Sequence, residues 1–329
     1  MPADALSDVL RAVRLTGAVF FNLDVRTPWV AEAPTGKDYI PLIMPGAHHL
    51  IEYHIISQGS CWGGLLDAEP VFLQAGDIIV FPQGDAHVLS SAPGMRQPPD
   101  INALPKAGGT QLPVGSSFGG SGPQTGQIVC GFLGYQGRLF NPLLATLPRM
   151  LHLRAASSPE NGWLGSFIRA AVDESDNKRP GGEGVLARLS ELMFIEVVRR
   201  YVESLPDEQT GWLAGLRDRH VGQALNLLHG LPSHGWTLDQ LAKEVGLSRS
   251  SLAERFSHFV GRPPMQYLAE WRMQIAAGML ANGSDNVARI AEAVGYESEA
   301  AFSRAFKKLV GTPPATWRKG QMSPSVPSA

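Results

Sequence analysis

LAKEVGLSRSSLAERFSHFVGRPPMQY, from Leu241 to Tyr267, returns as IAEAVGYESEAAFSRAFKKLVGTPPATW, from Ile290 to Trp317. Leu241 falls on Ile290, Gly246 on Gly295, Ser248 on Ser298, Phe256 on Phe306, Gly261 on Gly311 and Tyr267 on Trp317, with one extra residue, Glu297, in the second turn. Each copy reads as two short helices around a glycine. Leu238, Leu241, Ala242 and Val245 make an apolar stripe at helical spacing. Gly246 permits a turn with positive φ, and Leu252, Phe256 and Phe259 make the next stripe. In the second copy Val287, Ile290, Ala291 and Val294 precede Gly295, and Phe302, Phe306 and Leu309 follow it. Thr237 and Asn286 stand where the first helix of each unit wants an N-cap, and Ser248 and Ser298 where the second does.

Helix, glycine turn, capped helix is the helix-turn-helix pattern. Between the copies, Met265 to Leu280 reads as one continuous helix closed by Asn282-Gly283. Its length, about 24 Å, suits holding two recognition helices roughly 34 Å apart, one turn of DNA. The side chains expected to face DNA are Arg249, Ser250, Ser251, Glu254 and Arg255 in the first unit, and Ser298, Glu299, Ala300, Ser303, Arg304 and Lys307 in the second. Arginine pairs bidentately with guanine, alanine meets a thymine methyl, and helix N-termini and lysine hold phosphate. Arg249 and Arg255 offer more direct readout than Glu299 and Ala300, so the first unit is expected to carry more of the base specificity. The plain alternative for any one of these charges is a solvated helix face.

The stretch from Trp212 to Gly320 resembles the DNA-binding domain of the AraC/XylS family of transcription regulators. The resemblance is carried by Ile290-Ala291, Gly295-Tyr296, Phe302-Ser303-Arg304, Phe306-Lys307-Lys308, Gly311 and Pro313-Pro314, and by Arg272 in the connecting helix. Trp317 stands where that family more often has tyrosine or phenylalanine. The resemblance implies a sequence-specific, effector-controlled regulator, more often an activator, with a DNA operator, RNA polymerase and a second copy of the chain as partners.

Charge agrees with this placement. From Trp212 to Gly320 there are 13 Lys and Arg against 9 Asp and Glu, a net of +4, whereas the whole chain is at −2. The basic end is the expected DNA end, and the modest excess argues against a nonspecific, purely electrostatic binder. No apolar run approaches a membrane span, the first residues do not resemble a secretory leader, and two cysteines in 329 residues make no disulfide framework. A cytoplasmic protein is expected, without membrane contact.

The front half alternates short apolar runs with Gly, Pro and Asp turns. Strands are expected at Gly17 to Val25, Ile51 to Ser57, Cys61 to Leu66, Pro70 to Gln74, Asp77 to Phe81, His87 to Ser90 and Gln127 to Tyr135. The run from Gly76 through Pro82 and Gly84 to His87 resembles the second motif of the cupin superfamily, and Glu69 stands where the first motif has its glutamate. Upstream of Glu69 the sequence is Cys61-Trp-Gly-Gly-Leu-Leu, without the first motif's two histidines, which argues against cupin-type oxygenase chemistry. His54, Cys61, His87 and Cys130 all fall on expected strands of one small barrel, and two thiolates with two imidazoles are a zinc ligand set. The resemblance supports this set through Gly59-Ser60-Cys61-Trp62 and Val129-Cys130-Gly131. Buried apolar cysteines with hydrogen-bonded histidines, and a Cys61–Cys130 redox pair, stand beside it as alternatives.

Residues 93–126 read as a long Gly-, Pro- and Ser-rich loop, either a tolerated insertion or a ligand lid. Helical spacing follows at Pro142 to Leu151, Gly162 to Glu174 and Val185 to Ser204; the last has a broad apolar side suited to a dimer interface or to packing on the barrel. The expected architecture is α+β and multidomain: a cupin-like antiparallel β-barrel (1–141) that senses a small molecule or metal, a helical connector (142–211), an all-α domain with two helix-turn-helix units (212–320) and a tail (321–329). A non-enzymatic regulator is expected. The alternative is a metal-dependent cupin enzyme with an appended DNA-binding domain.

Overall fold

The computed structural model describes residues 4–13, 15–99, 114–135, 140–154, 163–177 and 179–322. It divides into two compact units. One holds residues 14–136 and 147–204; the other holds 1–13, 137–146 and 205–329.

The first helix is α1 (Ala5–Val13). Among the described residues nine strands follow: β1 (Thr16–Arg26), β2 (Val30–Ala33), β3 (His49–Leu65), β4 (Val71–Gln74), β5 (Ile78–Phe81), β6 (His87–Ser90), β7 (Val114–Gly119), β8 (Gln124–Tyr135) and β9 (Leu151–Leu153), with α2 (Gly36–Ile43) between β2 and β3. They form a curled sheet in the order β2-β6-β3-β8-β1-β7, with β4 and β5 paired to β3, and β9 to β5.

The two runs expected as separate strands, Ile51 to Ser57 and Cys61 to Leu66, are one bent strand, β3. Its first half pairs with β5 and β8 and its second half with β4 and β6. The bend falls at Gly59, with φ 75°, beside an irregularity in register at Ile56/Gln58. A Cβ at Gly59 would stand 1.9 Å from the Thr125 carbonyl oxygen, so the position requires glycine. Because side chains alternate, the inward residues of β1, β3, β4, β5 and β8 meet in one apolar core, with Val25, Ile56, Leu73, Phe81 and Ile128 fully buried.

Within the span read as a loop, β7 pairs in parallel with β1 from Phe21↔Val114 to Arg26↔Gly119; residues 100–113 lie outside the described residues. The helix expected from Pro142 to Leu151 is shorter. It is α3 (Pro142–Thr146), ended by Leu147-Pro148, where the residue before proline is pushed out of the α region, and Leu151–Leu153 becomes β9. Next come α4 (Trp163–Asn177) and α5 (Gly182–Ser204). The apolar side of α5 is taken up within its own unit: Leu186, Met193, Phe194, Val197 and Val198 are buried as it packs on β1 and α4, leaving Val185 and Leu192 exposed. The segment expected as a connector, 142–211, is divided between the two units. Helix α3 groups with the C-terminal helices, and α4 and α5 with the strands.

The second unit continues with α6 (Trp212–Arg217), α7 (Arg219–Gly230), α8 (Leu238–Glu244), α9 (Arg249–Val260), α10 (Pro264–Asn282), α11 (Val287–Ala293), α12 (Glu299–Val310) and α13 (Pro314–Met322). The repeat folds twice by the same rules. Thr237 caps α8 in a full capping box with Gln240, while Ser248, Asn286 and Ser298 each accept from the backbone N–H three residues on. Each such cap is worth about 1 kcal/mol. Gly261 and Gly311 close α9 and α12 in the left-handed conformation, and α10, 19 residues and thus about 28 Å long, joins the halves. Leu241, Leu252, Phe256 and Tyr267 are buried in the first half, and Ile290, Phe302 and Phe306 in the second.

Two segments read as part of the barrel region belong to this unit. Ala5 and Val9 of α1 are buried, and the Ala5 N–H donates to Asn226 Oδ1 at 3.0 Å. Phe140 meets the Tyr267 ring edge-on at 5.4 Å, under the Arg262 guanidinium at 4.9 Å. The Trp212 indole N–H donates to the Tyr267 hydroxyl (2.8 Å), which also hydrogen-bonds His229 Nε2 (2.7 Å); burial holds His229 down to about 3, so it stays neutral.

Candidate nucleic-acid interface and barrel cavity

On α9, Leu252 and Phe256 face the core, so at 100° per residue Ser250 and Glu254 lie on the opposite face; both are exposed. Ser248 Oγ accepts the Ser251 N–H and lies within 2.8 Å of Ser251 Oγ and 3.1 Å of Ser250 Oγ, a cluster of hydroxyls at the helix N-terminus. Arg249 stands 3.8 Å from Asp239, with both side chains exposed, a weak pair that leaves it available.

Arg255 is engaged within its own unit. Its Nε donates to both carboxylate oxygens of Asp218 at 3.0 Å, Nη2 donates as well, and the guanidinium lies 5.8 Å from the Phe259 ring centre. Asp218 is the N-cap of α7 and also accepts from the N–H groups of His220 and Val221. The guanidinium therefore joins α9 to the start of α7.

On α12 the same geometry turns Ala300, Arg304 and Lys307 away from buried Phe302 and Phe306, with Ser303 half-buried beside them. Glu299 occupies the first turn, and Ser298 is the cap. With Arg255 engaged, α9 offers Arg249 beside hydroxyls and a carboxylate, whereas α12 carries Arg304 and Lys307 as exposed cations.

In the strand unit, a cavity of about 320 Å³ opens between the walls of the curled sheet. Phe21, Trp29, Tyr39, Phe118 and Phe132 supply rings to its lining. Its polar end is built by Glu52 and His54, alternate residues on one face of β3, and by His87 at the start of β6. Cys130, the register partner of His54 on β8, also lines it, whereas Cys61 does not.

The hydrogen bonds fix the tautomers. His87 Nδ1 lies 2.9 Å from the Asp85 carbonyl oxygen, which only accepts, so Nδ1 carries the proton and Nε2 accepts. His54 Nε2, 2.8 Å away, is then the donor, which leaves His54 Nδ1 as a bare acceptor without a partner. Glu52 Oε2 lies 3.9 Å from His87 Nε2, and Glu52 Oε1 has no partner. Burial raises Glu52 well above the usual carboxylate range, pushes His54 well below the usual imidazole range and takes His87 to about 4. Burial, with Asp77 second, pushes the Cys61 thiol up to about 12; burial, then Cys61 and Glu52, raises that of Cys130 further.

Of the four residues read as a zinc set, the structure brings His54 and His87 together and places Cys130 beside them, while Cys61 sits in the apolar core and does not line the cavity. Among the described residues no three His, Cys, Asp or Glu side chains are arranged to hold a metal ion. Both cysteines are free and buried. Glu69, matched to a cupin ligand position, is exposed. The residue that sequence reading missed is Glu52. Its signal was present: one carboxylate in the otherwise apolar run Leu50-Ile51-Glu52-Tyr53-His54-Ile55-Ile56.

Residues 4–203 match a cupin family and residues 241–320 a helix-turn-helix domain family. Over 327 residues the chain is 34% identical to a protein of Streptomyces antibioticus named as an AraC-like transcription regulator, covering 97% of this chain and 99% of that one. A protein of the same designation from Streptomyces lividans is 33% identical, with 84% and 90% covered. The HTH-type transcriptional regulator AlkR of Acinetobacter baylyi is 30% identical, with 96% and 99% covered.

Proposed function

Because the chain belongs to the AraC-like family of transcription regulators, with a cupin domain ahead of its helix-turn-helix DNA-binding domain, we propose that it is an effector-controlled activator whose two recognition helices read successive major grooves. The observation that carries this is the doubled, capped helix pair α8–α9 and α11–α12, joined by one helix of about 28 Å. Selection of duplexes from a random pool by the full chain tests it. Enrichment of one sequence, bound at least about a thousandfold more tightly than scrambled DNA at the same salt, is expected; binding that ignores sequence and falls steeply with salt contradicts it.

The cavity is the effector site in this reading. Ligand binding there shifts DNA affinity, and DNA shifts ligand affinity by the same factor. Partnership with RNA polymerase, a homodimer using the exposed remainder of α5 (Val185, Leu192) and a cytoplasmic location complete the proposal. Among the described residues no helix is long and apolar enough to cross a membrane.

Zinc at the polar end is a second reading, favoured by one observation: His54 and His87 point Nε2 atoms at each other with Glu52 beyond, and His87 Nδ1 is anchored on a backbone carbonyl, as metal-ligating histidines are. It requires the two nitrogens to part from 2.8 Å to about 3.3 Å, the span across a tetrahedral ion. Elemental analysis tests it. One zinc per chain, lost in His54→Ala and retained in Cys61→Ser, supports it; no zinc in the native protein removes it.

A further inference from the structure

The cavity's lining is lopsided in both charge and hydrogen-bonding character. Two carboxylates, Glu32 and Glu52, face it, and among its described lining residues there is no lysine or arginine. Glu32 is held by a bidentate pair with Arg96, leaving Glu52, whose burial favours the protonated form, as the carboxyl without a counter-ion. Glu52 is 1% exposed and its Oε1 has no partner; His54, 8% exposed, turns an unpartnered Nδ1 acceptor from the same face of β3. Against these two orphaned acceptors stands one orphaned donor, the Trp29 indole N–H. A buried polar group left unpaired costs about 1–3 kcal/mol, and more when charged, so the pair at Glu52 and His54 calls for donors brought by a ligand.

Around that end the walls are aromatic. Trp29, Phe21, Tyr39, Phe118 and Phe132 present rings, and ring faces attract cations. At about 320 Å³ the cavity holds roughly ten waters' worth of volume at about 30 Å³ each, which suits a small organic molecule. An anion finds no cation in the lining. An alcohol can donate one proton, to Glu52 or to His54. A protonated primary amine has three N–H donors, enough for both, and as a cation beside the rings it offsets the burial that otherwise favours the protonated carboxyl, so Glu52 ionises as the pair forms.

Resting on the effector reading above, we infer that the cavity takes a small aromatic or alicyclic amine, bound as its ammonium ion, whose N–H groups donate to Glu52 Oε1 and His54 Nδ1 while its apolar body lies among the rings.

Calorimetric titration of the full chain with 2-naphthylmethylamine, 2-naphthylmethanol and 2-naphthoate, which share one ring system, tests this. The amine is expected to bind, the alcohol at least about tenfold more weakly, and the naphthoate not at all. Glu52→Gln, nearly isosteric, should keep the fold by circular dichroism and weaken the amine by roughly thirtyfold or more, the loss expected when one partner of a buried charge pair is removed. Naphthoate binding as tightly as the amine, an unchanged amine affinity in Glu52→Gln, or no binding by any of the three overturns the inference. So does one zinc per chain held by Glu52, which excludes an amine there. Operator affinity separates the two levels. If the alcohol or naphthoate binds and shifts it, the effector cavity stands and only the amine class falls; if the amine binds tightly and leaves it unchanged, the amine class stands and the effector role falls.

Discussion

Arg255 of α9 and Asp218, the residue that caps α7, are joined through Nε and Nη2 of the guanidinium, so one carboxylate starts a helix and anchors the recognition helix at the same time. Asp218 is buried and Arg255 half-exposed. Arg255→Ala is therefore expected to destabilise the second unit by about 1 kcal/mol and to weaken all operator sequences alike. Asp218→Ala should cost more, about 2 kcal/mol, because the cap is lost too. A double-mutant cycle on chemical denaturation checks the coupling. A loss of affinity for Arg255→Ala confined to one base pair would restore the arginine to base reading.

Acid should reveal the same pair. Burial opposes ionisation of Asp218, but the Arg255 contacts and the two backbone N–H groups prevail and hold its carboxyl below the ordinary value. A group depressed in the folded state contributes stability that is full above the unfolded value, about 3.9, and is lost as pH falls through the folded one. In Asp218→Asn the decline of stability on acidification below about pH 4 should be shallower than in wild type. An identical acid limb would show that the pair contributes nothing.

On α12, Arg304 and Lys307 are exposed and point away from the core. Arg304→Ala is expected to cost about 1–3 kcal/mol of operator binding and relax preference at one base pair. Lys307→Ala should lower affinity evenly across sequences and reduce the salt slope by about one. Binding matrices for the two variants, measured at two salt concentrations, distinguish these roles; a Lys307→Ala loss limited to one position would reverse them.

How far the sequence was readable follows from the range of the interactions. The caps Thr237, Ser248, Asn286 and Ser298 and the turns at Gly246 and Gly295 act within three or four residues, and all six stand where spacing puts them. β2, β7 and β9 exist through pairing with β6, β1 and β5, distant in the chain, and their three to six residues carry too little periodicity to announce them. The Arg255–Asp218 pair was not legible, because the partner lies 37 residues earlier and no local pattern links the two. At the barrel site His54, His87 and Cys130 were legible as inward strand positions. Glu52 was not singled out, although the same alternation puts it beside His54.

Gly59 offers a test of the bent strand. With φ 75° and a Cβ that would fall 1.9 Å from the Thr125 carbonyl oxygen, Gly59→Ala should cost about 3 kcal/mol or more. The loss should appear as protease sensitivity of the strand unit. A variant as resistant as wild type would mean that β3 bends elsewhere.

The thiols give a simple probe of burial. With Cys61 pushed up to about 12 and Cys130 higher, native protein at pH 8 should react with an aromatic disulfide reagent only on the timescale of unfolding, and both thiols should appear at once in denaturant. Rapid labelling of either in the native state would place it outside the core described.

Hydroxyl-radical footprinting of the full chain on its selected duplex tests most directly whether two units read one operator. Two protected blocks on the same face, centred about 10–10.5 base pairs apart, are expected, with Arg249→Ala weakening one block and Arg304→Ala the other. A single block, or one footprint that both variants weaken equally along its whole length, would contradict reading by two recognition helices.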